Sequence, residues 1–435
     1  MKPGARAQAA IEVLQDLARS RRPAKLCLKD WGRSARYAGA GDRAHVSGLV
    51  LDALRHRASL AFAMQDDNPR ALVLGALGRI WGMGADEMDA LFAADGHAPE
   101  GFKISEKQGL ARDLSDAPEW VRADVPEVFW PSFQRAFGDN ASVEGAAFAA
   151  RAPLDLRINP LRGDVAATFR ALKKIKAKPS DVLSLGARVA APQPGKRAAH
   201  VMSLPAFNKG GIEVQDFGSQ IAAACAGLSG GEQVLDYCAG GGGKTLAFAA
   251  AMHNSGQVFA WDADPRRLMA IWARLKRAGV RNVQVREAKD GGALDDLAGK
   301  MDVVFVDAPC TGTGTWRRRP DAKWRLTRAQ LEKRMGEQDG VLRAAAHYVK
   351  PGGRLVYVTC SVLPEENEDR IRAFMSARQD FAAVPTAPLA AKGDALRETG
   401  KAMVRKAEDA SGALRLSPAS TGTDGFFVAA LEKRK

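Results

Sequence analysis

The chain has 435 residues, with 64 Lys and Arg against 50 Asp and Glu, a net charge of +14. Apolar residues at 46% and charged residues at 26% are ordinary globular values and exclude wholesale disorder; no stretch approaches the roughly 20 uncharged apolar residues of a membrane span. Five cysteines make no disulfide framework in so long a chain, and six scattered histidines without a CxxC offer no metal-ligand spacing.

This composition reads as a cytoplasmic protein of two to four domains, at roughly 100–200 residues each. No membrane partner and no metal are expected. The positive charge asks for an acidic partner, of which nucleic acid is the commonest, because Lys and Arg displace counterions from phosphates.

Residues 1–95 show helical periodicity. Ile11, Leu14 and Leu17 form one stripe; Val46, Leu49, Val50 and Leu54 form another; Val73, Leu74, Leu77, Ile80 and Trp81 form a third. Glu12 and Asp16 inside the first stripe make residues 1–22 an amphipathic helix, not a signal peptide. A charged, Gly-rich connector is expected over 95–117. Residues 118–229 read as a mixed α+β segment: a strand at 154–158, a basic helix at 165–177 bearing Arg170, Lys173, Lys174 and Lys176, and a strand-like run at 182–190.

From 230 on, short β-rich runs at 234–238, 258–262, 283–287, 303–307 and 355–359 alternate with helical stretches at 244–252, 265–278 and 329–349. That alternation predicts an α/β domain, 230–435, with a parallel sheet covered on both faces. After an Ala- and Pro-rich tail a last strand is expected at 426–431. In such sheets ligands bind beyond the carboxyl ends of the strands.

The first of these strands runs into Asp236-Tyr237-Cys238-Ala239-Gly240-Gly241-Gly242-Gly243-Lys244-Thr245. A Gly-rich strand-to-helix turn lets backbone approach a ligand and aims helix N–H groups at negative charge. A Walker A loop needs glycine where Cys238 stands, and the third glycine of G-x-G-x-x-G would fall on Thr245 or Leu246, so both nucleotide patterns fail. The remaining reading is the cofactor loop of an S-adenosylmethionine-dependent methyltransferase. Asp262, ending the second strand, is then the acceptor for both ribose hydroxyls. Asp264 reads as a helix cap before Pro265. Asp290, after the third strand, could reach the adenine edge.

The fourth and fifth strands end in Asp307-Ala308-Pro309-Cys310 and Thr359-Cys360-Ser361. Two thiols after neighbouring strands, opposite a methyl-donor loop, suit one chemistry. Carbon 5 of a pyrimidine takes a methyl group only after a thiolate adds at carbon 6. The charge this creates needs an acid at ring nitrogen 3. Cys360 or Cys310 can be the nucleophile and Asp307 the acid. The turn Arg317-Arg318-Arg319 and Lys323-Trp324-Arg325 could grip phosphates, with Trp316 or Trp324 stacking on a displaced base.

These motifs resemble the Sun (NOL/NOP/Sun) family of RNA cytosine-5 methyltransferases, most closely its bacterial ribosomal small-subunit branch. The resemblance rests on Cys238-Ala239 with Gly242-Gly243-Lys244-Thr245, on Asp307-Ala308-Pro309-Cys310, and on Thr359-Cys360-Ser361-Val362-Leu363-Pro364-Glu365-Glu366-Asn367. Arg157-Ile158-Asn159-Pro160, Val214-Gln215-Asp216-Phe217-Gly218-Ser219 and Thr423-Asp424-Gly425-Phe426-Phe427 extend it. It covers about 118–431, and the helical N-terminus is similar to a NusB-like RNA-binding module.

The resemblance implies a class I, Rossmann-like methyltransferase domain preceded by an α+β RNA-recognition segment and an all-helical RNA-binding domain. It implies S-adenosylmethionine held by Cys238, Ala239, Gly240, Gly241, Gly242, Gly243, Lys244, Asp262, Asp290 and Asp307. It makes Cys360 the nucleophile and Cys310 the helper for product release, with Asp307 and Lys244 beside the base. The expected substrate is cytosine in RNA, 16S ribosomal RNA first. Transfer RNA methylation and an inactive RNA-binding assembly factor are the alternatives. One departure stands out: Gly240-Gly241 replaces the family's Ala-Pro, which implies a looser loop.

Overall fold

The computed structural model describes residues 1–287 and 292–435. The chain forms two compact units, each built from separated stretches. The first comprises Met1–Ala152, Ala191–Ala198 and Trp316–Leu326; the second comprises Pro153–Ala190, Ala199–Thr315 and Thr327–Lys435.

The first unit is helical. The apolar stripes of the sequence become its core: Ile11 and Leu14 from helix Pro3–Ser20, and Val46, Leu49, Val50 and Leu54 from helix Ala40–Arg55, are buried with Val73, Leu74 and Leu77. The expected connector at 95–117 instead packs against this core through Ala98, Phe102 and Leu110. It holds helix Ile104–Ala111, and Arg79 donates to the carbonyls of Gly109, Leu110 and Arg112. Residues 118–152 also join this unit, contributing helices Trp130–Phe137 and Ala141–Ala149, so the mixed α+β segment begins later than expected.

The Trp316–Leu326 stretch completes the unit from within. Trp316 is 1% exposed and stacks on Phe133 with ring centroids 5.5 Å apart. Lys323, also 1% exposed, donates to the carbonyls of Arg55 at 3.0 Å and Asp124 at 2.6 Å. Asp321 accepts the Ala24 N–H, and Arg55 donates to the Arg317 carbonyl. The expectation that Trp316 or Trp324 stacks on a base is therefore corrected. Trp316 is core, and the Trp324 indole donates to the Leu54 carbonyl.

The second unit contains two sheets. In the smaller, β1 (Leu154–Ile158), β2 (Lys178–Pro179), β3 (Gly186–Val189) and β4 (Ile212–Val214) lie in the order β2-β3-β1-β4, all antiparallel. The larger consists of β5 (Gln233–Asp236), β6 (Gln257–Trp261), β7 (Val283–Arg286), β8 (Met301–Asp307), β9 (Val349–Thr359), β10 (Phe381–Val384), β11 (Leu414–Leu416) and β12 (Phe426–Lys433). Its order is β10-β12-β9-β8-β5-β6-β7, with β11 paired to β12. Strands β5 to β9 are parallel to their neighbours, and β12 adds antiparallel to β9. Chain order reverses at β5, which has β6 on one side and β8 on the other. That switch point is where such sheets open a ligand crevice.

The central strands are apolar along their length because both faces are covered. Val234, Leu235, Val303 to Val306 and Leu355 to Val358 are all fully buried. The helical stretch expected at 265–278 is broken into Pro265–Leu268 and Ile271–Ala278. The smaller sheet is tied to the second of these. Asn159 donates to the Ala278 carbonyl, and Arg162 donates to the carbonyls of Lys276 and Arg277, satisfying the orphan acceptors of a helix end. Among the described residues no helix is long and apolar enough to cross a membrane.

Candidate active site

The turn after β5 is Ala239 to Gly242, and the helix Gly243–Ala251 begins directly behind it. Two of its glycines are required by geometry. Gly240 has φ +50° and Gly242 φ +80°, and a Cβ on Gly242 would lie 2.5 Å from Ile271. Hydrogen bonds tie the loop at several points. The Gly240 N–H donates to Asp262 at 2.9 Å, the Gly242 N–H to the Ala239 carbonyl, and the Ala239 N–H to the Trp261 carbonyl. Arg274 holds the Gly241 carbonyl from outside. One side stays open, since a Cβ on Gly243 would meet nothing within 4 Å.

Asp262 ends β6 and is 3% exposed. One of its oxygens accepts from Gly240, with Arg267 3.3 Å away; the other accepts the Asp264 N–H. Asp264 caps the next short helix, accepting from the Arg266 N–H with Pro265 at the first helical position, as the sequence suggested. Asp290 lies outside the described residues. Cys238 is held well above the usual thiol pKa by burial and by Asp262, which makes it an inert lining group.

The sequence reading passed over Asp236 at the end of β5. Its carboxyl is fully buried; one oxygen accepts from Thr245 at 2.6 Å, and the other has no hydrogen-bond partner among the described residues. Burial raises its pKa to about 7, with the nearby Asp307 adding to the rise. The signal was present: an acidic residue in an otherwise apolar strand end, directly before the glycines.

Across the switch point, Lys244 is 5% exposed and reaches Asp307 at 2.9 Å, with the Phe426 ring 5.3 Å from its ammonium. Beyond the ends of β8 and β9, the sulfurs of Cys310 and Cys360 are 3.4 Å apart. The neighbouring Cys360 thiol, followed by burial, holds the Cys310 thiol well above its ordinary pKa.

The turns that carry these thiols are tightly fixed. Glu366 accepts from the Thr311 N–H at 2.8 Å, from the Thr311 hydroxyl and from Gln338. Ser361 and Thr313 share a 2.9 Å bond, and Thr359 donates to Asn367 at 2.6 Å. The Gly314 N–H donates to the Cys360 carbonyl, and the Gly425 N–H to the Gly314 carbonyl. Glu366 is the second residue to which the sequence reading gave no role. Burial raises its pKa, and its bonds place the turn that follows Cys310.

The profile of the family described as 16S rRNA methyltransferase RsmB/F matches residues 225–432. A protein of Synechocystis sp. named "Probable ribosomal RNA small subunit methyltransferase B" is 31% identical over 316 residues, 71% of this chain and 66% of that one. A ribosomal RNA small subunit methyltransferase B of Salmonella typhi is 37% identical over 238 residues, 54% of this chain and 50% of its own length. Residues 225–432 carry an RsmB/F (Sun) family domain. The matches span between half and two thirds of these relatives. Among solved structures, a methyltransferase homolog from Pyrococcus horikoshii superposes with a TM-score of 0.56 at 28% identity, covering 72% of this chain and 97% of that one.

The cofactor of this fold family is S-adenosylmethionine, and the residues present fit it. The helix Gly243–Ala251 has no side-chain cap, which leaves its first-turn N–H groups for a carboxylate. The Asp236 oxygen without a partner lies buried behind the same loop and can accept from a bound donor. Asp262 is a buried carboxylate that could accept from a ribose hydroxyl.

Proposed function

We propose that this protein methylates carbon 5 of cytosine in RNA, with 16S ribosomal RNA as the first candidate, through a covalent adduct between Cys360 and carbon 6 of the base. The observation that carries this reading is the pair of thiols 3.4 Å apart beyond two adjacent parallel strands, beside the Lys244–Asp307 pair. One such thiol is an ordinary buried residue; two at strand ends on the ligand side of the sheet suit an addition–elimination sequence.

S-adenosylmethionine, when bound, supplies the methyl group. The chain's own residues do the rest. Cys360 bonds carbon 6 and makes carbon 5 nucleophilic. Asp307, with one oxygen committed to Lys244, has the other for a proton toward ring nitrogen 3. The Lys244 ammonium offsets negative charge developing on the ring, and its burial strengthens that effect. Cys310, its sulfur 3.4 Å from that of Cys360, is left for a second task. Having given its own proton to solvent, the Cys310 thiolate takes the carbon-5 proton as the bond between carbon 6 and the Cys360 sulfur breaks and that sulfur leaves as a thiolate. The target cytosine must be unstacked to reach these groups, so a loop or single strand is the expected form of the RNA. The small sheet and the helical, NusB-like unit serve RNA binding in this reading, supported by the net charge of +14.

Trapping the adduct tests the assignment. Wild type, Cys310→Ala and Cys360→Ala are incubated with cellular RNA and methyl donor, then run on a denaturing gel. An RNA-linked band is expected with Cys310→Ala and none with Cys360→Ala; the trapped RNA, once sequenced, names the target. A band only with Cys360→Ala reverses the two roles. Absence of both adduct and methyl transfer favours a binding factor that has kept the fold.

A further inference from the structure

The glycine loop is held by a side chain that the chemistry does not use. Arg274, on the helix Ile271–Ala278, donates through one nitrogen to the Gly241 carbonyl and through another to Glu213 at 3.0 Å. Glu213 belongs to β4 of the small sheet, opposite Arg157 in register, and its side chain is 4% exposed. Its second oxygen takes Arg277, one helical turn beyond Arg274. The Arg277 guanidinium lies over Phe207, 4.3 Å from the ring centroid. Both arginines are thus fixed at their far ends.

A loop of consecutive glycines loses more conformational entropy on ordering than any other sequence. Its carbonyl at 241 is turned outward onto Arg274, while the Gly240 N–H is turned onto Asp262. These two bonds pin the loop at neighbouring residues. Charge-assisted bonds are roughly twice as strong as neutral ones. We propose that Arg274 is a positioning residue for the cofactor loop and Glu213 its anchor, so that the small sheet sets the affinity of the methyltransferase domain for its cofactor. The proposal rests on reading this loop as the S-adenosylmethionine site.

The test compares wild type with R274M, R274K and, as a control, R162M. Arg162 joins the small sheet to the same helix through the carbonyls of Lys276 and Arg277 and has no bond to the loop. Binding of S-adenosylhomocysteine is measured by calorimetry without RNA, and amide hydrogen exchange at Gly240 and Gly242 is followed in the protein alone. R274M is expected to bind about tenfold more weakly, from loss of one charge-assisted bond, and to exchange at least about tenfold faster at both amides. Its kcat at saturating cofactor stays within about twofold of wild type, while KM for the cofactor rises. R274K recovers part of the affinity. R162M melts earlier with cofactor affinity unchanged. E213Q weakens binding as well, and the R274M/E213Q double variant binds no more weakly than R274M, because both changes break one connection.

Unchanged affinity in a folded R274M overturns the proposal, as does an equal loss of affinity in R162M. Should R274M fail to fold, R274K carries the same comparison. If wild type binds no S-adenosylhomocysteine, the cofactor reading fails, whereas the clamp itself stands or falls on the exchange rates.

Discussion

Asp236 and Cys310 share a physical situation: burial and a neighbouring acid push the pKa of each upward. For Asp236 the consequence for stability can be worked out. Its folded pKa of about 7 lies above the unfolded value of 3.8, so the folded state binds its proton more tightly. The stabilisation is fully present below the unfolded pKa and is lost as pH rises through 7. D236N keeps the shape without titrating. Its melting temperature should therefore gain on wild type between pH 4 and 7.5, by an amount equivalent to roughly 4 kcal/mol at most, taking 1.36 kcal/mol per pKa unit. Parallel thermal melts of the two proteins across that range check it; a constant difference would mean that Asp236 is already charged in the fold. The same variant should bind S-adenosylhomocysteine more weakly if the unpartnered carboxyl oxygen serves the cofactor.

The element that most departs from its sequence reading is the short helix Pro320–Arg325. Its Arg, Lys and Trp content reads as a phosphate-gripping turn, yet Lys323 is buried and its ammonium is satisfied by two main-chain carbonyls. Burial lowers its pKa to about 8, against 10.5 for a free lysine. The unfolded chain then holds this proton more tightly, so the contribution of Lys323 to stability rises with pH between about 8 and 10.5. K323M lacks that rise, and denaturant melts of wild type and variant at pH 7.5 and 10 should diverge with wild type gaining. The strands of the large sheet, by contrast, were legible. Parallel strands buried on both faces read as unbroken apolar runs such as 303–306, and the polar residue ending each run marks the ligand side. Lys244, Asp262, Asp307, Cys310 and Cys360 all stand at such ends or directly behind one. Glu366 and Arg274 were not legible, because their partners lie tens of residues away and no local pattern announces a long-range bond. Buried Lys323 fails for the same reason: composition gives the charge of a segment but not the depth at which the chain carries it.

On the scale of the whole molecule, the helical unit is not a contiguous piece of chain. Its core takes Trp316 against Phe133 and Lys323 beneath Arg55 and Asp124, from a stretch that leaves the methyltransferase unit after Thr315 and returns to it at Thr327. A fragment of residues 1–152 lacks these groups and exposes the Phe133 face. It should melt well below the helical unit of the full chain and bind a hydrophobic dye, and a peptide of residues 316–326 added in trans should raise its melting temperature. Equal stability with and without the peptide would show that the stretch only rests against a finished core. The threading also bears on biosynthesis. Domains made on a ribosome commonly fold in the order in which they emerge. Here the first 152 residues emerge early, but the helix that closes their interior is translated only after the glycine loop and the first of the two paired thiols. Residues 1–152 therefore wait, incompletely closed, for a stretch that is made later.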